Sequence, residues 1–141
     1  MKKKWIYLGL FFDENAKQHL LSQIGDKIPE GWTPYMDHVT VAFNNGVTRQ
    51  DEVFLDFKQN MLGKRHIVEI NSIGISDRAM AGRVANLKTN NEVSHVTIAV
   101  APGAKPVESN DITDWYAIKL FQPIYLVGTF GYFANGQINF N

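Results

Sequence analysis

The segments Asp37–Phe43 (DHVTVAF) and Ser94–Val100 (SHVTIAV) are near copies of each other, and they decide the fold. Both place a histidine two residues before a threonine, with apolar residues between and after them. Only four histidines occur in the 141 residues, and two of them head this pattern. Alternation of polar and apolar residues is typical of a half-buried β-strand. We therefore expect two strands, each with a histidine and a threonine on one face.

The same alternation predicts the faces of the residues that follow each threonine. In a regular strand, the alanine of each segment shares a face with the histidine and threonine, and the last residue lies on the apolar face. The alanines are Ala42 and Ala99, and the last residues are Phe43 and Val100. Each strand would then bury an apolar row and show a small polar row, which suits a cleft.

The composition fits one folded domain, residues 1–141, with 45% hydrophobic residues. Fourteen basic and fourteen acidic residues leave no formal charge, which argues against binding of bulk duplex nucleic acid and favours a small ligand. The chain has no cysteine, which excludes disulfides, thiolate nucleophiles and thiolate metal sites, and suits a reducing compartment. We therefore expect a cytoplasmic protein without a membrane-spanning segment.

Residue patterns in the first half of the chain predict alternating strands and helices. The apolar run Trp5–Phe12 predicts a buried strand, and residues 13–25 predict a helix that Asp13 caps. Residues 28–36, with two prolines and a glycine, predict a loop before the first histidine strand. A second helix is predicted to begin at a Thr48 cap and to end at Gly63.

The second half of the chain has mostly strand patterns. We predict a strand at His66–Ser76, a turn at Asp77–Gly82 and a returning strand at Arg83–Leu87. After the second histidine strand we predict a short helix near Ser109–Lys119, then strands near Ile124–Thr129 and at the C-terminus. The sum is an α+β chain with two pseudo-repeats, each holding one histidine strand.

The paired motifs resemble those of the 2H phosphoesterase superfamily, which includes RNA 2′,3′-cyclic phosphodiesterases. The resemblance rests on the two segments quoted above and follows the element order of residues 5–130. It implies a bilobal fold in which two pseudo-symmetric lobes of antiparallel sheet, with helices outside, face each other across a central cleft. Each lobe supplies one histidine and one threonine. A weaker similarity links Pro102–Asn110 to a loop of phage and RNA-repair-like branches.

The resemblance implies catalytic roles for four residues, His38, His95, Thr40 and Thr97. Histidine titrates near neutral pH, so one imidazole can take a proton from the attacking oxygen while the other gives one to the leaving oxygen. The two hydroxyls can donate to the non-bridging oxygens of the transition state. The near-symmetry leaves open which histidine is the base. The scheme needs no metal and no cofactor; a zinc site is the weaker alternative, because a clear third ligand is missing.

Six further residues are candidates for substrate binding. Aromatic faces stack on unpaired bases, and polar side chains on loops reach phosphates or base edges. The aromatic candidates are Tyr7, Trp32 and Tyr35, and the polar candidates are Lys105, Ser109 and Asn110. Each has an ordinary alternative, which is a place in the core for an aromatic residue or a solvated connection for a loop residue.

The substrate implied by the resemblance is a small nucleotide ester. The neutral, compact chain and its phage-like loop favour a cyclic di- or oligonucleotide signal, which the enzyme would degrade in a phage anti-defence role, within the host cytoplasm if it is phage-encoded. One alternative is an RNA 2′,3′-cyclic phosphodiesterase that processes RNA ends. Another is a non-catalytic protein that sequesters a cyclic nucleotide, although retention of both histidines and both threonines speaks against it.

Overall fold

The computed structural model describes residues 5–46 and 50–141. These residues form mostly β-strands, together with two α-helices. The helices are α1 (Glu14–Ile24) and α2 (Gln50–Asn60), with short 3-10 helices at Gly25–Lys27 and Pro106–Asp111. The strands are β1 (Trp5–Phe11), β2 (Thr33–Pro34), β3 (His38–Phe43), β4 (Arg65–Ile75), β5 (Ala79–Val84), β6 (His95–Val100), β7 (Ile118–Ala134) and β8 (Gln137–Asn139). The predicted cap Thr48 lies outside the described residues.

Six of the described strands close into an antiparallel ring in the order β1, β3, β6, β5, β4, β7 and back to β1. β2 pairs with β6, and β8 pairs with β7. Closure leaves no free edge on these six strands, and side chains fill the interior of a barrel of this size. The protein is therefore of the α+β class, and it consists mostly of a closed antiparallel sheet with a few helices. The expected division into two pseudo-symmetric lobes stays a prediction.

The strand and helix predicted at the start of the chain are confirmed. Asp13 caps α1, since its carboxylate accepts a hydrogen bond from the backbone N–H of Ala16 at 2.9 Å. Leu20 and Ile24 on α1 are fully buried in the same core as the strands. The second predicted helix corresponds to α2, and Gly63 after it adopts a positive φ of 81°.

β1 and β7 approach each other closely where they close the ring. A Cβ at Gly128 of β7 would lie 2.6 Å from Cγ of Leu10 and 3.0 Å from the carbonyl oxygen of Phe11, both on β1. Leu10 is fully buried, so the neighbouring side chain has no free space to move into. A residue without a side chain is therefore needed at this contact.

The predicted turn at Asp77–Gly82 is wrong from residue 79 onward, because β5 already begins at Ala79. Ala79 is fully buried, and Gly82 lies so near its neighbours that a Cβ would stand 3.0 Å from Ile70 and 3.2 Å from Val96. Small residues here allow close packing between β4 and β6, rather than marking a turn. The returning strand ends at Val84, three residues before the predicted end.

The predicted helix near Ser109–Lys119 is also wrong. Its region holds the end of the 3-10 helix and then irregular chain up to Ile118, where β7 begins. Backbone groups there bond to β4 instead of to their own helix: the carbonyl of Trp115 accepts from Ser72 Oγ at 2.8 Å, and the carbonyl of Asp114 accepts from the N–H of Ile75 at 3.4 Å. Within the described ranges, no helix is long and apolar enough to cross a membrane.

Candidate active site

The two histidine strands are neighbours in the ring. β3 and β6 run antiparallel, and Val39 pairs with Val96. Continuing that register sets His38 across from Thr97, and Thr40 across from His95. Both paired valines are fully buried, so the histidines and threonines beside them point to the opposite face. Each histidine thus faces the threonine of the other motif.

A cavity of about 270 Å³ lies over this crossing and is lined by all four motif residues, His38, Thr40, His95 and Thr97. Its other lining residues are Tyr7, Tyr35, Asp37, Phe43, Asn91, Pro106, Val107 and Asn110. The structure therefore brings the four catalytic candidates together with three of the six substrate-binding candidates.

Both motif strands carry a β-bulge directly after the threonine, which changes the faces expected from simple alternation. Against β1, Thr40 pairs with Gly9 and Ala42 with Leu8, so Val41 is an extra residue. As a result Ala42 lies in the core, at 4% exposure, and Phe43 lines the cavity, at 48% exposure. The expectation that Ala42 shares the histidine face and Phe43 the apolar face is therefore wrong.

The bulge in β6 stands at the equivalent place. Thr97 pairs with Ala81 of β5 and Ala99 pairs with Met80, so Ile98 is the extra residue. Ala99 joins the main core, whereas Val100 belongs to a second, smaller cluster against which Tyr35 packs. The extra residue thus moves Ala99 from the expected histidine face into the core, whereas Val100 is buried as expected, although in the smaller cluster.

His38 lies in an aromatic environment. Its ring stacks on Tyr7, with centroids 4.9 Å apart and planes 25° apart, and is tilted against Phe11 at 5.4 Å. Its Nε2 lies 3.2 Å from Oγ1 of Thr40. Burial lowers the pKa of His38, the nearby Asp37 carboxylate raises it, and the charge of His95 lowers it. The electrostatic interaction of the two imidazoles means that a proton on one disfavours a proton on the other.

Asp37 and Tyr7 complete the surroundings of His38. The Asp37 carboxylate accepts a hydrogen bond from Nζ of Lys17 at 2.8 Å, which joins α1 to the residue before the first histidine. The Tyr7 ring stacks on Phe133 at 5.4 Å as well as on His38. Burial, with a smaller contribution from Asp37, raises the pKa of Tyr7, so its phenol stays neutral. The Tyr7 ring is thus packed among other rings of the protein.

His95 is held by its own backbone. Nδ1 lies 2.8 Å from the carbonyl oxygen of Val93, and a carbonyl can only accept, so Nδ1 carries the proton of this hydrogen bond. In the neutral ring, Nε2 is then unprotonated. Burial lowers the pKa of His95, although the bond to Val93 raises it. The Trp115 ring lies 5.3 Å from the imidazole.

Thr97 is fixed by the 3-10 helix Pro106–Asp111. Its Oγ1 lies 2.9 Å from Oγ of Ser109, which is fully buried, and 3.5 Å from the carbonyl oxygen of Pro106. The helix itself is held at its start, where the Glu108 carboxylate accepts from the N–H of Lys105 at 2.6 Å and from Nε of Arg78 at 3.0 Å. The chain after β6 therefore sets the orientation of the second threonine.

The remaining substrate-binding candidates lie outside the lining of this cavity. Trp32 is half-buried and packs against the main core, and Lys105 is exposed at the start of the 3-10 helix. The Ser109 hydroxyl contacts the Thr97 hydroxyl and does not line the cavity. Their binding roles stay predictions. Five lining residues were not among the candidates, namely Asp37, Phe43, Asn91, Pro106 and Val107. Proximity to the first motif could have indicated Asp37, whereas Phe43 depends on the bulge and Asn91 on the loop before β6.

The comparisons with known proteins agree with this geometry. Residues 18–120, which include all four motif residues and span more than half of the chain, match the family described as fungal tRNA ligase phosphodiesterase domain. Among solved structures, the fold is similar to the crystal structure of a fungal RNA kinase, with a TM-score of 0.53 and 18% identity. That alignment covers 99% of this chain and 45% of the kinase chain, and at this identity it shows the fold alone. A search of curated proteins gives no match.

The site and the family match lead to one assignment. Two histidines and two threonines from paired strands line one cavity, and the matched family is named for phosphodiesterase activity. The chain therefore belongs to the fungal tRNA ligase phosphodiesterase domain family and is a phosphodiesterase of the 2H phosphoesterase type.

Proposed function

We propose that this protein is an RNA-end-processing enzyme that opens 2′,3′-cyclic phosphates at the ends of RNA chains. The observation that carries the proposal is the crossing of β3 and β6, which aims both histidines and both threonines into one cavity. The printed names of the matched family and of the similar structure concern tRNA and RNA, and they support an RNA substrate. The cyclic oligonucleotide favoured by the sequence has no such support and stays a prediction that the same assay tests.

His95 acts as the general base. The Val93 carbonyl holds the Nδ1–H form of its ring, so Nε2 is the nitrogen that accepts a proton. Burial lowers the pKa of His95, which keeps the ring neutral at neutral pH before the reaction. A water placed between Nε2 and the phosphorus gives its proton to His95 as its oxygen bonds to phosphorus.

His38 acts as the general acid. Burial, the largest effect, lowers the pKa of His38, whereas the nearby Asp37 carboxylate and stacking on Tyr7 favour its protonated form, and repulsion from His95 disfavours a second proton on the pair. At most one of the two imidazoles therefore carries a proton near neutral pH, and the form that reacts has that proton on His38. As the bond from phosphorus to one ribose oxygen breaks, His38 protonates that oxygen, and the product is a phosphomonoester on the adjacent hydroxyl.

Thr40 and Thr97 stabilise the charge that develops on the non-bridging oxygens. Each hydroxyl lies on the cavity face beside the opposite histidine, and each is held by a partner, His38 Nε2 for Thr40 and Ser109 Oγ for Thr97. Hydroxyls that are already oriented stabilise the transition state without reorganising during the reaction.

Phe43 provides the face on which the terminal base stacks. It is 48% exposed within the cavity lining, whereas the ring of its neighbour Tyr7, whose centroid lies 5.6 Å away, also contacts His38 and Phe133. Tyr7 thus acts by positioning His38, and Tyr35 and Asn110, which also line the cavity, are available to the edges of the base. Roles for Trp32 and Lys105 would require contacts with a longer substrate.

The proposal is tested by mass spectrometry of products, with a chelator present throughout. The substrates are cytidine 2′,3′-cyclic phosphate, an RNA oligonucleotide with a 2′,3′-cyclic phosphate end, and a panel of cyclic di- and trinucleotides. We expect opening of the terminal cyclic phosphates in the presence of chelator. Cleavage of the cyclic di- or trinucleotides alone would instead support the messenger-degrading function. Loss of turnover with chelator would support a metal site, although no group of three or more His, Asp or Glu side chains suited to a metal occurs in residues 5–46 and 50–141.

Two histidine variants connect this activity to the site. His38→Ala and His95→Ala should each lower kcat by at least about a hundredfold, because each removes one proton-transfer group. The matched control is His19→Ala, at an exposed position on α1 outside the cavity, which should keep wild-type kcat. Wild-type activity in either cavity variant would rule out the two-histidine mechanism.

A further inference from the structure

A polar recess of about 450 Å³ adjoins the catalytic cavity on the side of His95. The two spaces share three lining residues, Asn91, His95 and Asn110. The recess has further lining residues of its own, which are Asn90, Glu92, Val93, Ile112, Thr113 and Trp115. A ligand that lies between the two histidines can therefore extend past Asn91 and Asn110 into this recess.

Three asparagines in the lining offer unpaired amide groups. The side chains of Asn90, Asn91 and Asn110 form no hydrogen bond with any residue that the structure describes. The backbone of the loop is nevertheless fixed: the N–H of Asn90 donates to the carbonyl of the bulge residue Val41 at 2.9 Å, and the N–H of Asn91 donates to Oγ1 of Thr89 at 3.2 Å. The backbone that carries the Asn90 and Asn91 amides is thus held in place while the amides are open to a ligand, which reduces the backbone entropy lost on binding.

The chemistry of the recess suits a nucleoside better than a phosphate group. An amide offers one acceptor and two donors, and these match base edges and ribose hydroxyls. Glu92 is the one charged residue among the described lining residues, apart from His95, so the recess does not attract an anion. Trp115 adds an aromatic ring to the same wall.

We infer that the recess holds the nucleotide that precedes the terminal one, so that the substrate is an RNA end at least two nucleotides long. The inference rests on the proposed function. The catalytic cavity, at about 270 Å³, lies just below the range of roughly 300–1,000 Å³ that is usual for small-molecule sites. It has room for the terminal nucleotide, with its base on Phe43, and the chain leaves through the recess.

The test compares two substrates that differ by one nucleotide, cytidine 2′,3′-cyclic phosphate and adenylyl-cytidine 2′,3′-cyclic phosphate. We expect wild-type protein to have a kcat/KM about tenfold higher for the dinucleotide, as hydrogen bonds to two polar groups that line the recess alone, the Asn90 amide and the Thr113 hydroxyl, together provide. The double variant Asn90→Ala/Thr113→Val changes residues that line the recess alone, and it should reduce the ratio of the two kcat/KM values to about one. The change should come from KM for the dinucleotide.

Asn15→Ala is the matched control, since Asn15 is exposed on α1 and lines neither space. It should keep the wild-type ratio. Turnover of both substrates with equal kcat/KM by wild-type protein overturns the inference alone. A double variant that keeps the wild-type ratio also overturns it. If wild-type protein turns over neither substrate, the proposed function fails and the inference fails with it. Because the readout is a ratio, partial loss of folded protein in a variant does not affect it.

Discussion

Individual residues at the catalytic cavity divide into those that hold the histidines and those that remain open to a ligand. Tyr7 and the Val93 carbonyl belong to the first group, because each contacts an imidazole directly. Phe43 belongs to the second group, since it lines the cavity and is half exposed. The functions we propose for Tyr7 and Phe43 therefore differ, because Tyr7 stacks on His38 whereas Phe43 is half exposed in the cavity.

At this scale we predict that Phe43→Ala raises KM for a terminal cyclic phosphate about tenfold and changes kcat less than twofold. Stacking of a base on an aromatic face contributes about 1–3 kcal/mol, and tenfold corresponds to about 1.4 kcal/mol. Steady-state kinetics with cytidine 2′,3′-cyclic phosphate and with adenylyl-cytidine 2′,3′-cyclic phosphate would measure both KM and kcat. Phe121→Ala is the control, because Phe121 is fully exposed and outside the cavity lining. An unchanged KM in Phe43→Ala would place the base elsewhere.

At the scale of elements, the periodicity of the sequence predicts a strand or helix well where the element pairs or packs without a break in register. The positions of β1, β3, β6 and α1 agree with the predicted elements, because an apolar run, an alternating motif or a helical spacing marks each of them in the sequence. β5 was missed because its small residues fit against β4 and β6. β7 begins earlier than predicted, and it pairs through Lys119 and again through Ile124, with a break in register between them. Bulges and register breaks depend on a neighbouring strand, so a local pattern cannot indicate them.

The 3-10 helix Pro106–Asp111 leads to a prediction about Thr97. Ser109→Ala removes the hydroxyl 2.9 Å from the Thr97 hydroxyl and leaves the more distant Pro106 carbonyl as its partner. We expect kcat to fall about tenfold with little change in KM, because a misdirected donor loses part of its effect on the transition state. Rapid kinetics at saturating substrate would measure the fall.

A double-mutant cycle separates positioning from a general structural effect. In a Thr97→Val background, Ser109→Ala should have no further effect on kcat, because the hydroxyl that it orients is already absent. Ser22→Ala is the control, as Ser22 is an exposed serine on α1. Additive losses in the double variant would show that Ser109 acts independently of Thr97.

At the scale of the whole molecule, closure of the ring explains why two segments 57 positions apart form one site. β3 is held by β1 and β6 is held by β5, and the single registered pair between β3 and β6 joins the two halves of the ring. The resemblance of the motifs predicted that the four residues meet. The polar recess and the 3-10 helix that orients Thr97 arise from chain between strands, where no repeating pattern exists to predict them.

The burial of two imidazoles also makes the stability of the whole protein depend on pH. Burial lowers the pKa of both His38 and His95 below the ordinary value of 6.5, so the unfolded chain binds more protons than the folded chain between the lowered values and 6.5. Stability contributed by the neutral histidines is therefore fully present above pH 6.5 and is lost as the pH falls through the folded-state pKa values. The free energy of unfolding should decrease between pH 7.5 and pH 5.5 (about one unit to either side of 6.5).

The double variant His38→Asn/His95→Asn should show a smaller decrease over the same interval, because asparagine does not titrate. Urea unfolding at both pH values measures the two decreases, and their difference isolates the histidines from the carboxylates, which both proteins share. His19→Asn, at an exposed position on α1, is the control and should keep the wild-type decrease. Equal decreases in wild-type protein and the double variant would mean that the imidazoles are not desolvated in the folded state, and the neutral form of His95, which the mechanism needs in its general base, would lose its physical basis.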